Sequence, residues 1–259
     1  MNKQTNRKNI LMAWGVHTLT TTGVLCAMAS MVNILNGQAE QSLIWLMVAK
    51  VIDGIDGPLA RYVNVQKYTP VVDGNALDLI VDYVTCVVVP VLFAVKFSLL
   101  PVHLEMTLSI VVIMTSAIWF SRKDIETKDF WFRGFPAEWN FVVTVLWLLA
   151  TAPLINAYIF AVFIVLTLMP AAKFAHILSA PQFRRITMPF TAAAMSAMVI
   201  MTLMLSQRHN HYGKLIIISW VTYYLTISLW RSTLQPDELK QLPREQKPIL
   251  GSVVSWLGL

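Results

Sequence analysis

Long apolar runs, broken at intervals by short polar stretches, dominate the chain from Ile10 onward. A helix needs about 20 mostly apolar residues to cross a bilayer. Eight segments meet or approach that length: 10–35, 41–61, 75–96, 100–121, 139–153, 154–178, 186–206 and 214–231. The pattern predicts an all-α integral membrane protein of about eight transmembrane helices, folded as one domain without an internal repeat. The fifth segment is short and ends at Pro153, so a re-entrant pair made of the fifth and sixth is a second reading. From Ser232 the chain turns polar, with Pro236, Pro243 and Pro248, and it finishes in an apolar stretch, 249–259, expected to lie on the membrane surface.

Composition agrees. Of 259 residues, 56% are hydrophobic and 13% charged, against about one-quarter charged in a soluble domain. Cys26 and Cys86 both fall inside apolar runs, which argues against a disulfide framework. Lys3, Arg7 and Lys8 ahead of the first apolar run look like the start of a signal peptide. That run is too long for one and lacks a small-residue cleavage site, so it reads as a retained first span.

The net charge of +6 is scattered over many connections, which reads as an orientation signal and not as a nucleic-acid surface. With the N-terminus inside, the cytoplasmic connections hold Lys3, Arg7, Lys8, Arg61, Lys67, Arg122, Lys123, Lys128, Arg133, Arg184, Arg185, Arg231, Lys240, Arg244 and Lys247. The outer ones keep Lys96, Arg208 and Lys214, while Lys50 and Lys173 fall within spans. The bias places both termini in the cytoplasm.

Acids number only 14, yet four of them gather around one connection. Asp53 and Asp56 stand at i, i+3 near the end of the second segment, and Asp78 and Asp82 at i, i+4 near the start of the third. Each pair shares a helical face, with Cβ atoms about 5–6 Å apart. If the two helices are antiparallel neighbours, the four carboxylates converge. A single aspartate at a helix end is ordinarily a capping charge, and Asp73 reads that way. Four together repel one another, and hard divalent cations such as Mg²⁺ or Mn²⁺ supply the compensating charge. Two such ions could bridge a diphosphate. Gly57 and Gly74 lie one turn from Asp53 and Asp78 and leave room for a nucleotide, and Arg61 is a permanent cation suited to phosphate.

The run Asp53-x-x-Asp56-Gly57-x-x-Ala60-Arg61, a spacer, then Gly74-x-x-x-Asp78-x-x-x-Asp82 resembles the motif of the CDP-alcohol phosphatidyltransferase family at every fixed position. The spacer, Tyr62 to Asp73, is longer than the family's usual one and resembles its bacterial phosphatidylcholine synthase branch. So does Gly134-Phe135-Pro136-Ala137-Glu138-Trp139-Asn140, and more weakly Val16-His17-x-Leu19-Thr20-x-x-Gly23. The resemblance implies an enzyme of the bacterial inner membrane, commonly homodimeric, that joins the phosphatidyl group of CDP-diacylglycerol to choline and releases CMP. It implies that Asp53, Asp56 and Asp78 hold two Mn²⁺ or Mg²⁺ ions, that Asp82 touches the metal site and acts as general base, and that Thr20, Gly57, Ala60, Arg61 and Gly74 line the CDP-lipid site. A quaternary ammonium calls for aromatic faces and a carboxylate, and Trp131, Phe135, Glu138 and Trp139 are the expected choline-binding residues. Serine, inositol phosphate or glycerol phosphate as acceptor, CDP-choline as donor, and a divalent-cation transporter remain alternative readings.

Overall fold

The computed structural model describes residues 3–127, 131–175, 184–204 and 211–233. The tail and its terminal apolar stretch, 234–259, lie outside the described residues, as do Lys128 and Arg208 and the side chains of Arg184 and Arg185. Every predicted apolar segment contains a helix among its described residues. In chain order these are α1 (Lys3–Leu35), α2 (Ala39–Val63), the short α3 (Val65–Tyr68), α4 (Gly74–Asp82), a π-helical turn (Tyr83–Val88) that runs straight into α5 (Val89–Lys96), and α6 (Val102–Phe120). Then come α7 (Trp139–Leu149), α8 (Pro153–Leu168), α9 (Arg184–Leu203) and α10 (His211–Thr233). Two-residue strands β1 (Phe132–Arg133) and β2 (Lys173–Phe174) pair antiparallel, Phe132 opposite Phe174 and Arg133 opposite Lys173.

Among the described residues, five helical units are long and apolar enough to cross a membrane: 7–35, 74–96, 102–120, 186–203 and 211–233. The 25 residues of α2 span about 37 Å, but its last turns carry the acidic motif. The distribution of side chains is that of a lipid-facing bundle. Leu25, Met28 and Leu35 of α1, and Met106, Met114 and Ile118 of α6, are exposed, whereas polar groups turn inward. Ser30 of α1 bonds the Ser42 hydroxyl (2.8 Å) and its carbonyl (3.0 Å) on α2, the small-polar contact that brings membrane helices close.

The fifth and sixth segments are helices joined by a short turn, both shorter than expected, and α8 packs chiefly against α6. Trp139 near the start of α7 packs on Phe160 of α8 (centroids 4.9 Å apart), and Ala150 turns the chain in a left-handed conformation. Asn156, in the first turn of α8, donates to the Leu99 carbonyl (2.8 Å), so the α7–α8 turn sits beside the turn between α5 and α6. Because Pro170 cannot continue a helix, α8 ends at Leu168 and not at 178. Lys173, expected within a span, stands outside it on β2.

From residue 131 to 138, just before α7, the chain is irregular apart from β1 yet largely buried. Such backbone is stable at membrane depth only when protein satisfies its polar groups. Here Arg133 N donates to Ile125 O (2.8 Å), Gly134 N to Ala172 O (2.8 Å) and Phe135 N to Leu166 O (3.1 Å). The Trp119 indole donates to Arg133 O (2.9 Å). Gly134 has φ +86°, and a Cβ there would lie 2.7 Å from Thr167 O, so this position accepts only glycine.

Candidate active site

The acidic face is assembled from three helices. α1 packs along both α2 and α4, and Gly23 sets the approach: a Cβ built on it would stand 2.6 Å from Val81 Cγ1. The long spacer is tied to α1 by side chains. His17 Nε2 is 3.0 Å from the Thr69 hydroxyl, which donates to Val65 O, and Asn9 donates to Tyr68 Oη (2.9 Å). Ala13, Val16, Val63 and Val65 form a small apolar cluster beneath them. Asp73 caps α4, accepting from the backbone N–H of Asn75 and Ala76, the capping role expected of it. The widened π turn begins directly after Asp82, an irregularity common at functional sites.

Asp53, Asp78 and Asp82 converge, with one carboxylate oxygen from each lying within 4.8 Å of the others. All three offer hard oxygen donors, the set that suits Mg²⁺ or Mn²⁺. Asp56, expected among them, is buried on the neighbouring turn of α2 and faces a different cavity. Two cavities flank the cluster and share Asp78. The larger, about 450 Å³, is lined by His17, Thr20, Asp56, Gly57, Ala60, Arg61, Gly74 and Asp78. All five residues expected at the CDP-lipid site thus stand on one wall system. The smaller, about 200 Å³, is lined by Asp53, Asp78, Asp82 and Cys86, and by Trp119, Phe120, Glu126, Phe132, Pro136 and Glu138, with Lys50 at its back.

Lys50, by the apolar pattern a charge within a span, belongs to the site. Its ammonium is buried, 2.8 Å from Asp53 and 3.0 Å from Glu138. Buried ions persist only when paired, and one cation here serves two carboxylates. The signal was present in the sequence, since Lys50 lies at i−3 from Asp53.

Of the four expected choline-binding residues, only Glu138 lines the smaller cavity. Trp131, Phe135 and Trp139 are packed behind it: the first and last have no exposed surface, and the Trp139 indole donates to Ser116 Oγ (3.0 Å). The aromatic wall of the cavity is instead Trp119, Phe120 and Phe132. Trp119 meets both rings edge-on, at 5.2 and 5.5 Å. Beyond the cavity, basic side chains gather near β1 and β2. Burial, with Arg133, Arg231 and Arg122 nearby, holds the Lys173 ammonium below its ordinary pKa.

A helical membrane protein that carries an oxygen-donor cluster between two polar cavities is the class that fold and site define. No family model matches the chain, but curated proteins do. A phosphatidylcholine synthase of Pseudomonas aeruginosa is 33% identical over 223 residues, covering 85% of this chain and 92% of that protein. The phosphatidylcholine synthase of Borreliella burgdorferi is 30% identical over 86% of this chain and 95% of its own length. That of Bradyrhizobium diazoefficiens is 38% identical over 61% of this chain and 59% of its own. The chain belongs to the bacterial phosphatidylcholine synthase branch of the CDP-alcohol phosphatidyltransferase family.

Proposed function

We infer that this protein is a phosphatidylcholine synthase: CDP-diacylglycerol and choline react to give phosphatidylcholine and CMP. The observation that carries the reading is the convergence of Asp53, Asp78 and Asp82 between two cavities, in a chain related over most of its length to proteins of that name.

The larger cavity takes the CDP moiety. Thr20, Gly57, Ala60 and Gly74 leave a shallow backbone wall for the nucleotide, and Arg61 faces its phosphates. The smaller cavity takes choline. Its trimethylammonium group lies against Trp119, Phe120 and Phe132, with Glu138 balancing its charge, while Trp131, Phe135 and Trp139 hold that wall from behind. Asp82 reaches the choline hydroxyl and accepts its proton. The oxygen then attacks the phosphorus that bears diacylglycerol, and the bond from that phosphorus to the CMP oxygen breaks. Asp53, Asp56, Asp78 and Asp82 would hold two Mg²⁺ or Mn²⁺ ions, whose charge, when bound, neutralises the diphosphate and the departing CMP. Positioning and electrostatics carry most of the rate. The protein works as a homodimer in the bacterial inner membrane, with both termini in the cytoplasm.

The test is purified protein with CDP-diacylglycerol and a panel of labelled alcohols. Phosphatidylcholine and CMP should appear in equal amounts, with choline preferred. If serine outcompetes choline, the acceptor is wrong. If phosphatidylcholine forms only from CDP-choline and diacylglycerol, the donor is wrong. Absence of any CMP release would favour an ion-path role for the acids.

A further inference from the structure

Lys50 stands where the two halves of the smaller cavity meet. From α2 it reaches Asp53 on its own helix face, one turn on, and Glu138 at the end of the irregular segment before α7. Backbone bonds fix the chain here, with the Glu138 carbonyl accepting from Phe141 N and Val142 N at the start of α7, so the ion pair decides where the Glu138 side chain points. A lysine carries three N–H donors on a flexible stem and can satisfy two carboxylates at once. Only 8% of Lys50 is exposed, so water does little to screen these contacts.

We propose that Lys50 is a positioning residue of the phosphatidyl transfer, one buried ammonium that holds Asp53 on the acidic side and Glu138 on the acceptor side of the same cavity. The inference rests on the reading of the reaction given above. It has two consequences of opposite sign. A fixed cation 2.8 Å from the Asp53 carboxylate opposes a second cation at that oxygen, so Lys50 weakens the grip of the acid cluster on a divalent ion. The same cation, 3.0 Å from the Glu138 carboxylate, keeps it turned toward α2, so it strengthens the acceptor wall. Loss of an ordinary packing charge would worsen both functions together. Loss of Lys50 should improve one and damage the other.

The experiment uses the full chain, purified in detergent, as wild type, Lys50→Gln, Lys50→Arg and the double variant Lys50→Met with Glu138→Met. Mn²⁺ binding to the substrate-free protein is followed by the electron paramagnetic resonance of free Mn²⁺, and KM is measured separately for choline and CDP-diacylglycerol. Lys50→Gln should bind Mn²⁺ about tenfold more tightly, by removal of one adjacent positive charge. It should raise the choline KM about tenfold while the CDP-diacylglycerol KM moves by no more than about twofold. Lys50→Arg keeps the charge and should return Mn²⁺ affinity toward wild type. The double variant replaces the ion pair by apolar volume, which buried sites tolerate better than a lone charge. It should fold even if the single variant does not, and bind Mn²⁺ more tightly than wild type. Weaker or unchanged Mn²⁺ binding in folded Lys50→Gln overturns the proposal, as does a parallel rise of both KM values. A wild type that binds Mn²⁺ but forms no phosphatidylcholine removes the choline reading, and the Mn²⁺ shift then still decides the charge coupling at Asp53.

Discussion

At the residue scale, Asp78 is the pivot, because it alone among the four motif acids lines both cavities. A diphosphate laid from the nucleotide side to the acceptor side must pass it. Asp→Asn keeps the shape and removes the charge, so each substitution at Asp53, Asp56, Asp78 or Asp82 should lower CMP release by at least about 100-fold. Chelation should abolish it and Mn²⁺ or Mg²⁺ restore it. Near-normal turnover after Asp53→Asn and Asp56→Asn would remove the two-ion arrangement. The aromatic residues divide by role. Trp119 borders the cavity although only 3% of it is exposed, so Trp119→Ala should lose stability and also raise the choline KM by roughly 30-fold, about 2 kcal/mol of a desolvated cation–π contact, with little change for CDP-diacylglycerol. Trp139→Ala empties a fully buried site and should cost about 3–5 kcal/mol of stability while leaving the choline KM nearly unchanged. The two KM values of the folded variants separate them, and a raised choline KM in Trp139→Ala alone would put the cage at Trp139. The acids were legible in the sequence because a shared helix face is fixed by spacing alone. The aromatic wall was legible only in part: Phe132 stands in the aromatic run around Trp131 and Phe135, but its meeting with Trp119 of α6 depends on how the irregular segment folds back.

At the scale of elements, the site depends on how closely α1 approaches α4, since Asp78 and Asp82 ride on α4. Gly23 allows that approach and Val81, directly before Asp82, fills it. Gly23→Ala should therefore push α4 outward, destabilising the protein by about 1–3 kcal/mol and lowering turnover. Adding Val81→Ala should recover much of both, a coupling expected only of residues in contact. If the double variant is no better than the single, Gly23 acts elsewhere than at this interface. The apolar helices were readable because membrane burial demands long uninterrupted runs. Their ends were less so: α8 stops at Leu168 because of Pro170, which the hydropathy pattern passes over. The spacer was readable as long but not as pinned, since the His17–Thr69 contact joins residues far apart in sequence. Gly134 illustrates the same limit, because the carbonyl that excludes a side chain there belongs to α8.

For the whole molecule, the question is which end of the bundle faces the cytoplasm. The acid cluster, the spacer and β1–β2 share one end, and there the described basic residues gather: Arg61, Lys67, Arg122, Lys123, Arg133, Lys173 and Arg231. Lys173 joins them because α8 ends early. The other end, where the Asn156 contact joins the α7–α8 turn to the turn after α5, carries Lys96 and, at the start of α10, Lys214. Positive charge is retained on the cytoplasmic side, so the site should open there, where CMP, CDP-lipid precursors and choline meet the inner leaflet. Single cysteines in a background with Cys26→Ser and Cys86→Ser test this. Lys67→Cys and Lys123→Cys should react with a membrane-impermeant maleimide only after the membrane is permeabilised. Gln38→Cys and Val102→Cys, the latter at a largely exposed position, should react from outside in intact cells. Because Cys86 borders the smaller cavity, the background must first be shown to release CMP at the wild-type rate. Outside labelling at Lys67 would invert the bundle and place the acid cluster beyond the reach of cytoplasmic nucleotide. A chemistry that consumes a CDP-lipid could not then be sustained at this site.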